Sequence, residues 1–137
     1  MNSEQLAIEL EGFTGTEKWT PHFLNRRLLW TDGVQHFADQ AGAFWFIDLV
    51  AIGADGRRGL VPEVVPDKDH FAIVLLTSKD GTGLVEAYSD CEEDESYSIE
   101  KRLFSQPIEF TDCPEGVWKF YLVWDGEHTV LLLPSEY

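Results

Sequence analysis

The sequence has few cysteines, few basic residues and no long uninterrupted apolar run. Its two cysteines, Cys91 and Cys113, are too few for a disulfide scaffold, so we expect both thiols to be reduced. No apolar run approaches the roughly 20 residues of a membrane-spanning helix. The acidic N-terminus also lacks the basic-then-apolar order of a signal peptide. These absences predict a soluble, cytoplasmic protein.

The charge is strongly one-sided. Only 10 Lys and Arg accompany 25 Asp and Glu among the 137 residues, which gives a formal net charge of −15 at pH 7. This excess argues against binding DNA, RNA or an anionic membrane through a broad basic surface. The chain is 44% apolar and 13% aromatic, so it can bury a core, and wholesale disorder is excluded.

Two halves of different pattern follow one another, and we expect them to share one core in a single domain of residues 1–137. Residues 1–60 carry helix signals and a net charge of −3. Residues 61–137 carry strand signals and a net charge of −12, with the antiparallel hairpins expected over residues 70–134. Two prolines, Pro62 and Pro66, predict an extended connection between the halves.

The N-terminal half predicts helices. Residues 3–12 form a short one, with Ser3 as its cap. Residues 33–52 predict one long buried helix, which Asp32 and Gln35 would begin with a capping box. Gly42 in its interior indicates the close approach of another backbone. The apolar residues of this helix follow the three-and-four spacing of a buried stripe: Val34, Phe37, Ala38, Ala41, Trp45, Leu49 and Ile52.

The first predicted hairpin joins strands 71–78 and 83–88. Its turn is Asp80-Gly81, a pair that tolerates the positive φ of a tight two-residue loop. Such a loop sets Leu76 opposite Val85 on one face of the sheet.

The second predicted hairpin joins strands 117–125 and 128–133 through Asp125-Gly126. A two-residue loop there sets Phe120 opposite Leu131, a favourable apolar cross-strand pair. The fold class we predict is α+β: N-terminal helices, with one long buried helix packed on a twisted antiparallel sheet of about five strands.

An acidic segment lies between two of the predicted strands. It has no base and seven carboxylates: Glu86, Asp90, Glu92, Glu93, Asp94, Glu95 and Glu100. The simplest interpretation is a solvated connection that keeps the protein soluble. A sharper one is a surface that imitates nucleic-acid phosphates and occupies the basic groove of a protein partner. Calcium binding is a third, although the spacing of an EF-hand loop is missing.

Asp48 is an acid inside the apolar part of the predicted long helix. A buried carboxylate needs a partner or else its pKa rises, which makes Asp48 a candidate functional acid. A buried ion pair with Arg26 or Arg27 is the simpler interpretation. Near the start of the same helix, Asp32, His36 and Asp39 could cluster, and we favour a structural or solvent-exposed role for them.

Motifs that would identify an enzyme or a cofactor are missing from the sequence. The four histidines and two cysteines have no metal-ligand spacing, and there is no GxSxG nucleophile motif. No glycine loop matches a Walker motif or a dinucleotide fingerprint. We therefore predict no metal, no cofactor and no catalytic residue, and we assign the five tryptophans mainly to the core rather than to base stacking.

Five short segments form an ordered series along nearly the whole chain. They are TGTEKW (14–19), TDGV (31–34), AGAFW (41–45) followed by Asp48, IEFTD (108–112) and LLLPSEY (131–137). Together they resemble a family of small bacterial proteins known as a domain of unknown function. The resemblance implies carriage on phages, plasmids and other mobile elements, and it brings no catalytic residues. These motifs supply caps, turns and core, so they indicate a fold rather than a site.

From charge, size and this resemblance we expect a non-catalytic acidic interaction protein of a mobile genetic element. Its partner would be a basic-surfaced host protein that handles nucleic acid or serves in defence, inhibited by nucleic-acid mimicry in the manner of anti-restriction and anti-CRISPR proteins. Two alternatives stay open. One is a module that associates with itself through a sheet edge or an aromatic patch. The other is a small hydrolase-like enzyme with Asp48, His36 or Asp32 lining a cleft.

Overall fold

Three α-helices and seven β-strands make up a mixed α+β structure in the computed structural model, which describes residues 2–52, 71–90, 93, 94, 96–124 and 127–137. The helices are α1 (Ser3–Glu11), α2 (Asp32–Ala41) and α3 (Phe44–Ile52). The strands are β1 (Trp19–Pro21), β2 (Leu28–Thr31), β3 (Phe71–Lys79), β4 (Thr82–Tyr88), β5 (Arg102–Ile108), β6 (Gly116–Trp124) and β7 (Thr129–Leu132). Single 3-10 turns precede β5 and follow β7, at Ile99–Lys101 and Pro134–Glu136. The predicted α+β class is confirmed.

All seven strands form one sheet in the order β1-β2-β7-β6-β3-β4-β5. Neighbouring strands are antiparallel except β2 and β7, which run parallel. The prediction of about five strands is wrong because β1 and β2 lie in the half that predicted helices. These strands have only three and four residues, too few to show an alternating pattern in the sequence.

The predicted long helix is in fact two helices, α2 and α3, which are separated at Gly42. Gly42 adopts a left-handed conformation with φ of 62°, and its backbone N–H donates to the carbonyl of Ala38. A Cβ atom on Gly42 would meet nothing within 4 Å, so the expected close backbone approach is wrong. Glycine is needed here for its positive φ, which ends α2 and turns the chain into α3.

Two helix caps lie one residue before their predicted positions. Asn2, not Ser3, caps α1, and its side chain accepts from the backbone N–H of Gln5. Thr31, not Asp32, caps α2. Each helix therefore still begins with a preferred capping residue type.

The predicted register is right for one hairpin and wrong for the other. Leu76 lies opposite Val85, as the Asp80-Gly81 turn predicts. Leu131 lies opposite Leu122 rather than Phe120, and four residues rather than two separate the last pair of β6 and β7. Strand β7 pairs with β2 as well as with β6, so its position must suit both strands. The prediction of a two-residue turn considered only the pairing with β6.

One face of the sheet, here called the helix face, packs against the three helices. Its core draws on both halves of the chain, from Leu6 in α1 to Leu133 after β7. Phe120 is fully buried, with ring centroids 5.0 Å from Phe37 in α2 and 4.7 Å from Phe46 in α3. Fully burying each such side chain stabilises the fold by about 1.5–3 kcal/mol.

Alternate residues of the strands point to the opposite face, here called the open face. The strand registers place Ile73 and Leu75 of β3 on the open face, next to Lys119 and Tyr121 of β6. Neighbouring residues of β4 and β7 lie on the same face. None of the helices in the described ranges is both long enough and apolar enough to cross a lipid bilayer.

Candidate functional site on the open face

An aromatic row crosses the open face from the end of the chain toward β4. The ring centroids of Tyr121 and Tyr137 are 5.3 Å apart, and Phe71 lies 4.9 Å from Tyr121 and 5.6 Å from Tyr137. The Lys119 ammonium lies 5.4 Å from the Tyr121 ring centroid, within cation–π distance. Tyr137 is 72% exposed, so the end of this row is accessible to a partner.

Tyr97 attaches the segment between β4 and β5 to the same face. Its ring packs against Tyr88, with centroids 5.0 Å apart, and joins a small cluster of Ile73, Leu75 and Tyr88. Burial opposes the charge of the Lys119 ammonium, yet the phenols of Tyr97 and Tyr121 outweigh that effect and raise its pKa. The acidic segment therefore does not simply extend into solvent, because its C-terminal part is held on the sheet.

Glu86 lies within this surface and has polar partners. The Tyr88 hydroxyl donates to Glu86 Oε2 at 2.7 Å, and Arg102 Nη1 lies 3.9 Å from the same oxygen. Burial, together with the neighbouring carboxylate, raises the pKa of Tyr88 to about 12, so its phenol stays protonated and can keep donating. Glu86 is 16% exposed and is the least accessible of the acidic set that the structure describes.

The other described carboxylates of the acidic segment are accessible. Asp90, Glu93, Asp94 and Glu100 are all exposed. The hydroxyl and backbone N–H of Ser96 both donate to Asp94, and these hydrogen bonds lower its pKa. Two further predicted residues, Glu92 and Glu95, lie outside the described residues, as does Cys91.

Acidic residues also occur at the other end of the same strands. There Asp80 forms the β3–β4 turn, and Glu109, Asp112 and Glu115 lie between β5 and the start of β6. All four are exposed, and Glu115 Oε1 accepts from the backbone N–H of Asp80 at 3.0 Å. Exposed carboxylates thus occur at both ends of these strands, and the Glu86–Glu100 segment forms the acidic surface at one end.

Asp48 is exposed, contrary to the expectation of a buried acid. Its side chain is 54% accessible, because the break at Gly42 makes α3 a separate helix with one side facing solvent. Its partner is also not an arginine: the Oδ1 atom lies 2.8 Å from His22 Nε2. His22 Nδ1 accepts from the backbone N–H groups of Leu24 and Asn25, so the ring hydrogen is on Nε2 and points to Asp48. The pair fastens the 22–25 loop to α3.

Asp32, His36 and Asp48 do not converge on a cleft. His36 Nε2 lies 2.7 Å from Glu9 Oε1 and joins α2 to α1, while Asp32 accepts from the backbone N–H of Glu17. None of the three lines the concavity around Trp19 and Glu136 or the one between α1 and the start of β6. No group of three or more His, Cys, Asp or Glu side chains within the described ranges could hold a metal ion.

Glu136, which the sequence did not single out, links three segments of the chain. Its Oε1 accepts from the Thr31 hydroxyl at 2.5 Å and from the Leu133 N–H at 3.0 Å. Its Oε2 accepts from the Thr16 hydroxyl and from the Gly33 N–H, both at 3.2 Å. The carboxylate therefore lies at the N-terminus of α2, where the helix dipole stabilises a negative charge. Three of the motifs in the sequence meet at this one side chain.

A concavity of about 350 Å³ lies beside Glu136 on the open face, here called the Trp19 pocket. Val123, Val130 and Leu132 of the central strands give it an apolar floor. Trp19 and Tyr137 line it as well, and Trp19 is 50% exposed. No sequence pattern indicated this pocket, because its residues come from four segments that only the fold brings together.

This small α+β protein thus has helices on one side of a sheet and a surface with aromatic and acidic residues on the other. The family model described as "Family of unknown function (DUF6876)" matches residues 4–137, and the chain belongs to this family. The family resemblance predicted from the sequence motifs is thereby confirmed.

The chain is similar to a crystal structure of a protein of unknown function from Enterococcus faecalis, with 17% sequence identity and a TM-score of 0.43. The similarity covers 80% of this chain and 89% of that one. No curated protein matches the sequence.

Proposed function

We propose that this chain is a non-catalytic interaction protein that binds a cationic protein partner on its open face. The observation that carries the proposal is the placement of the acidic segment. Its exposed carboxylates Asp90, Glu93, Asp94 and Glu100 belong to a connection that Tyr97 fixes onto an aromatic surface. Fixed negative charge beside accessible aromatic rings suits a partner rich in Lys and Arg.

The carboxylates and the aromatic row would make different contributions to binding. An exposed ion pair contributes only about 0–1 kcal/mol, so the carboxylates mainly steer the partner and fix its orientation. Most of the affinity would come from the aromatic row, because buried aromatic residues dominate the energy of protein interfaces. Tyr121 and Tyr137 provide that row beside the acidic segment.

The partner class that we propose is a protein whose basic groove otherwise binds nucleic-acid phosphates. Carboxylates that occupy such a groove would exclude the nucleic acid, which is the mechanism expected of an inhibitor carried by a mobile element. This part of the proposal rests on the net charge of −15 and on the family resemblance.

Two observations favour this function over the alternatives. The edge strand β5 contains Pro107, which has no N–H to donate, so strand-to-strand self-association at that edge is disfavoured. The three side chains of the enzyme hypothesis have separate partners: His22 for Asp48, Glu9 for His36 and the Glu17 backbone for Asp32.

The test is affinity capture from a bacterial host with three baits. The first is the natural sequence, and the second carries Asp90→Asn, Glu93→Gln, Asp94→Asn and Glu100→Gln. The third is a matched control that also loses four exposed carboxylates, through the substitutions Glu4→Gln, Glu11→Gln, Glu109→Gln and Asp112→Asn.

We expect the natural protein and the control to retain a basic partner at about 50 mM salt and to lose it toward about 500 mM. The Asp90–Glu100 variant should lose it already at low salt. Capture that ignores salt, equal capture by both variants, or no partner at all would contradict the proposal.

A further inference from the structure

We infer that the Trp19 pocket binds an arginine side chain of the cationic partner. This inference rests on the proposed function and specifies one contact within it. Trp19, Tyr137 and Glu136 meet in the pocket, and each contributes a property that a guanidinium group requires.

The first property is hydrogen-bond polarity. Apart from the two aromatic rings, the polar side chains that line the pocket are Thr16, Thr31 and Glu136. A carboxylate only accepts hydrogen bonds, so both threonine hydroxyls must point their hydrogens at Glu136. These three side chains therefore have no hydrogen left to donate to a ligand. They can still accept hydrogen bonds, chiefly through the lone pairs of the Thr16 hydroxyl oxygen. A ligand that binds beside them must therefore bring donors.

The second property is charge. The four donors around Glu136 are hydroxyl and backbone N–H groups, and no ion pair within the described ranges includes Glu136. The N-terminus of α2 offsets about half an elementary charge. Asp32, in the first turn of α2, adds another negative charge nearby. The pocket thus keeps net negative charge and favours a cation over a neutral donor.

The third property is shape. The floor of Val123, Val130 and Leu132 suits the methylene stem of a long side chain. Trp19 and Tyr137 are about half and three-quarters exposed, so each offers ring surface to a planar cation. Arginine stacks on aromatic rings, is less strongly hydrated than lysine and carries five donors. A volume of about 350 Å³ lies at the small end of ligand pockets and fits one side chain.

The pocket belongs to the same surface as the acidic segment. Tyr137 lines the pocket and contacts Tyr121, and Lys119 joins Tyr121 to Tyr97 at the base of that segment. A partner that reaches the carboxylates can therefore also place an arginine in the pocket.

The experiment is an NMR titration of the full chain with N-acetyl-arginine-methylamide. It follows the indole N–H signal of Trp19 and, in all variants, the backbone amide signals of the lining residues Thr31, Leu132 and Glu136. Two analogues of this probe serve for comparison. The lysine analogue replaces the guanidinium group with an ammonium group, and the norleucine analogue has an uncharged side chain. The variants are Trp19→Ala and, as a matched control, Phe110→Ala, which removes an aromatic ring that is 73% exposed elsewhere.

We expect the arginine probe to shift the Trp19 signal and to bind at least about fivefold more tightly than norleucine, as a cation–π contact of about 1 kcal/mol implies. Trp19→Ala should weaken binding about fivefold, and Phe110→Ala should leave it unchanged. Equal binding of norleucine or of lysine, or an equal effect of the two variants, would overturn the assignment.

The Asp90–Glu100 variant separates this inference from the proposed function. Because the small probe does not reach the acidic segment, its binding should be unchanged in that variant. If the probe binds as expected while the capture experiment finds no partner, the pocket assignment stands and the proposed function is wrong. If capture succeeds and the probe does not shift Trp19, the pocket assignment alone is wrong.

Discussion

Gly33 and Glu136 are joined by a hydrogen bond although 103 residues separate them in the sequence. The Gly33 N–H donates to Glu136 Oε2 at 3.2 Å, in the first turn of α2. This contact joins the residues that follow β7 to the N-terminus of α2. It brings the TDGV and LLLPSEY segments into direct contact in the fold.

Gly33→Ala should destabilise the protein. An added Cβ atom would lie 2.6 Å from Glu136 Oε1 and closer still to Leu133 Cδ1. Neither side chain can move away easily, because Leu133 is buried and Glu136 accepts four hydrogen bonds. Alanine favours a helix by about 1 kcal/mol over glycine, but the overlap should cost more, for a net loss of about 1–3 kcal/mol. Urea denaturation of Gly33→Ala and of Gly15→Ala, where nothing lies within 4 Å, compares the two directly. Equal stability of the two variants would contradict the close approach.

Glu136→Gln should also lower the free energy of unfolding, by about 1–3 kcal/mol. If the amide nitrogen of glutamine replaces Oε2, the Gly33 N–H loses its acceptor and meets another donor, and the Thr16 hydroxyl must turn to accept instead of donate. Thermal and chemical denaturation measure the loss. The exposed Glu109→Gln removes the same charge and should change stability by no more than about 0.5 kcal/mol. A loss as small for Glu136→Gln would show that the carboxylate does not hold the three segments together.

His22→Ala should be much more damaging than Asp48→Asn. His22 is buried, and its ring makes hydrogen bonds to Leu24, Asn25 and Asp48. Its removal leaves a cavity and unpaired N–H groups, with an expected cost of about 2–4 kcal/mol. In Asp48→Asn the amide side chain still offers an oxygen to His22 Nε2, so we expect a loss below about 1 kcal/mol. Equal losses in equilibrium unfolding would assign Asp48 a larger role than its exposure indicates.

Cys113 should react slowly with thiol reagents while the protein is folded. Burial raises the pKa of its thiol from 9.0 to about 11, and only the thiolate is nucleophilic. In a Cys91→Ser variant at pH 8, this shift alone implies roughly 100-fold slower labelling than in urea. The folded state should also lose stability as the pH rises from 9.0 toward 11, because the unfolded thiol ionises first. Equal labelling rates in the folded and unfolded states would contradict the burial.

The sequence predicted those parts of the fold that depend on local patterns. The pairing of Leu76 with Val85 could be predicted from the Asp80-Gly81 turn, because the turn and both strands belong to one hairpin. The strands β1 and β2 escaped prediction because both are very short. In addition, β2 pairs with β7, which lies about a hundred residues further along the chain. Gly42 was visible in the sequence, but the apolar pattern continues across it and hides the change of direction.

The candidate site was harder to predict for the same reason. The acidic segment is continuous, so its residues could be named, but its attachment through Tyr97 depends on packing against β4 and β6. Glu136 looked like one of many surface acids, and only the fold shows that it accepts four hydrogen bonds. Asp48 was expected to be buried because its neighbours are apolar, yet one side of α3 faces solvent.

The binding of a cationic ligand to the open face is tested most directly by titrating the isotope-labelled protein with an arginine-rich peptide and mapping the backbone amide shifts. The shifts should concentrate on residues 93–100 and around Tyr121 and Tyr137, and should disappear toward about 500 mM salt. Shifts of equal size around Asp80 and Glu115 at the other end of the sheet would mean that the peptide follows charge alone. That result would contradict a specific binding face.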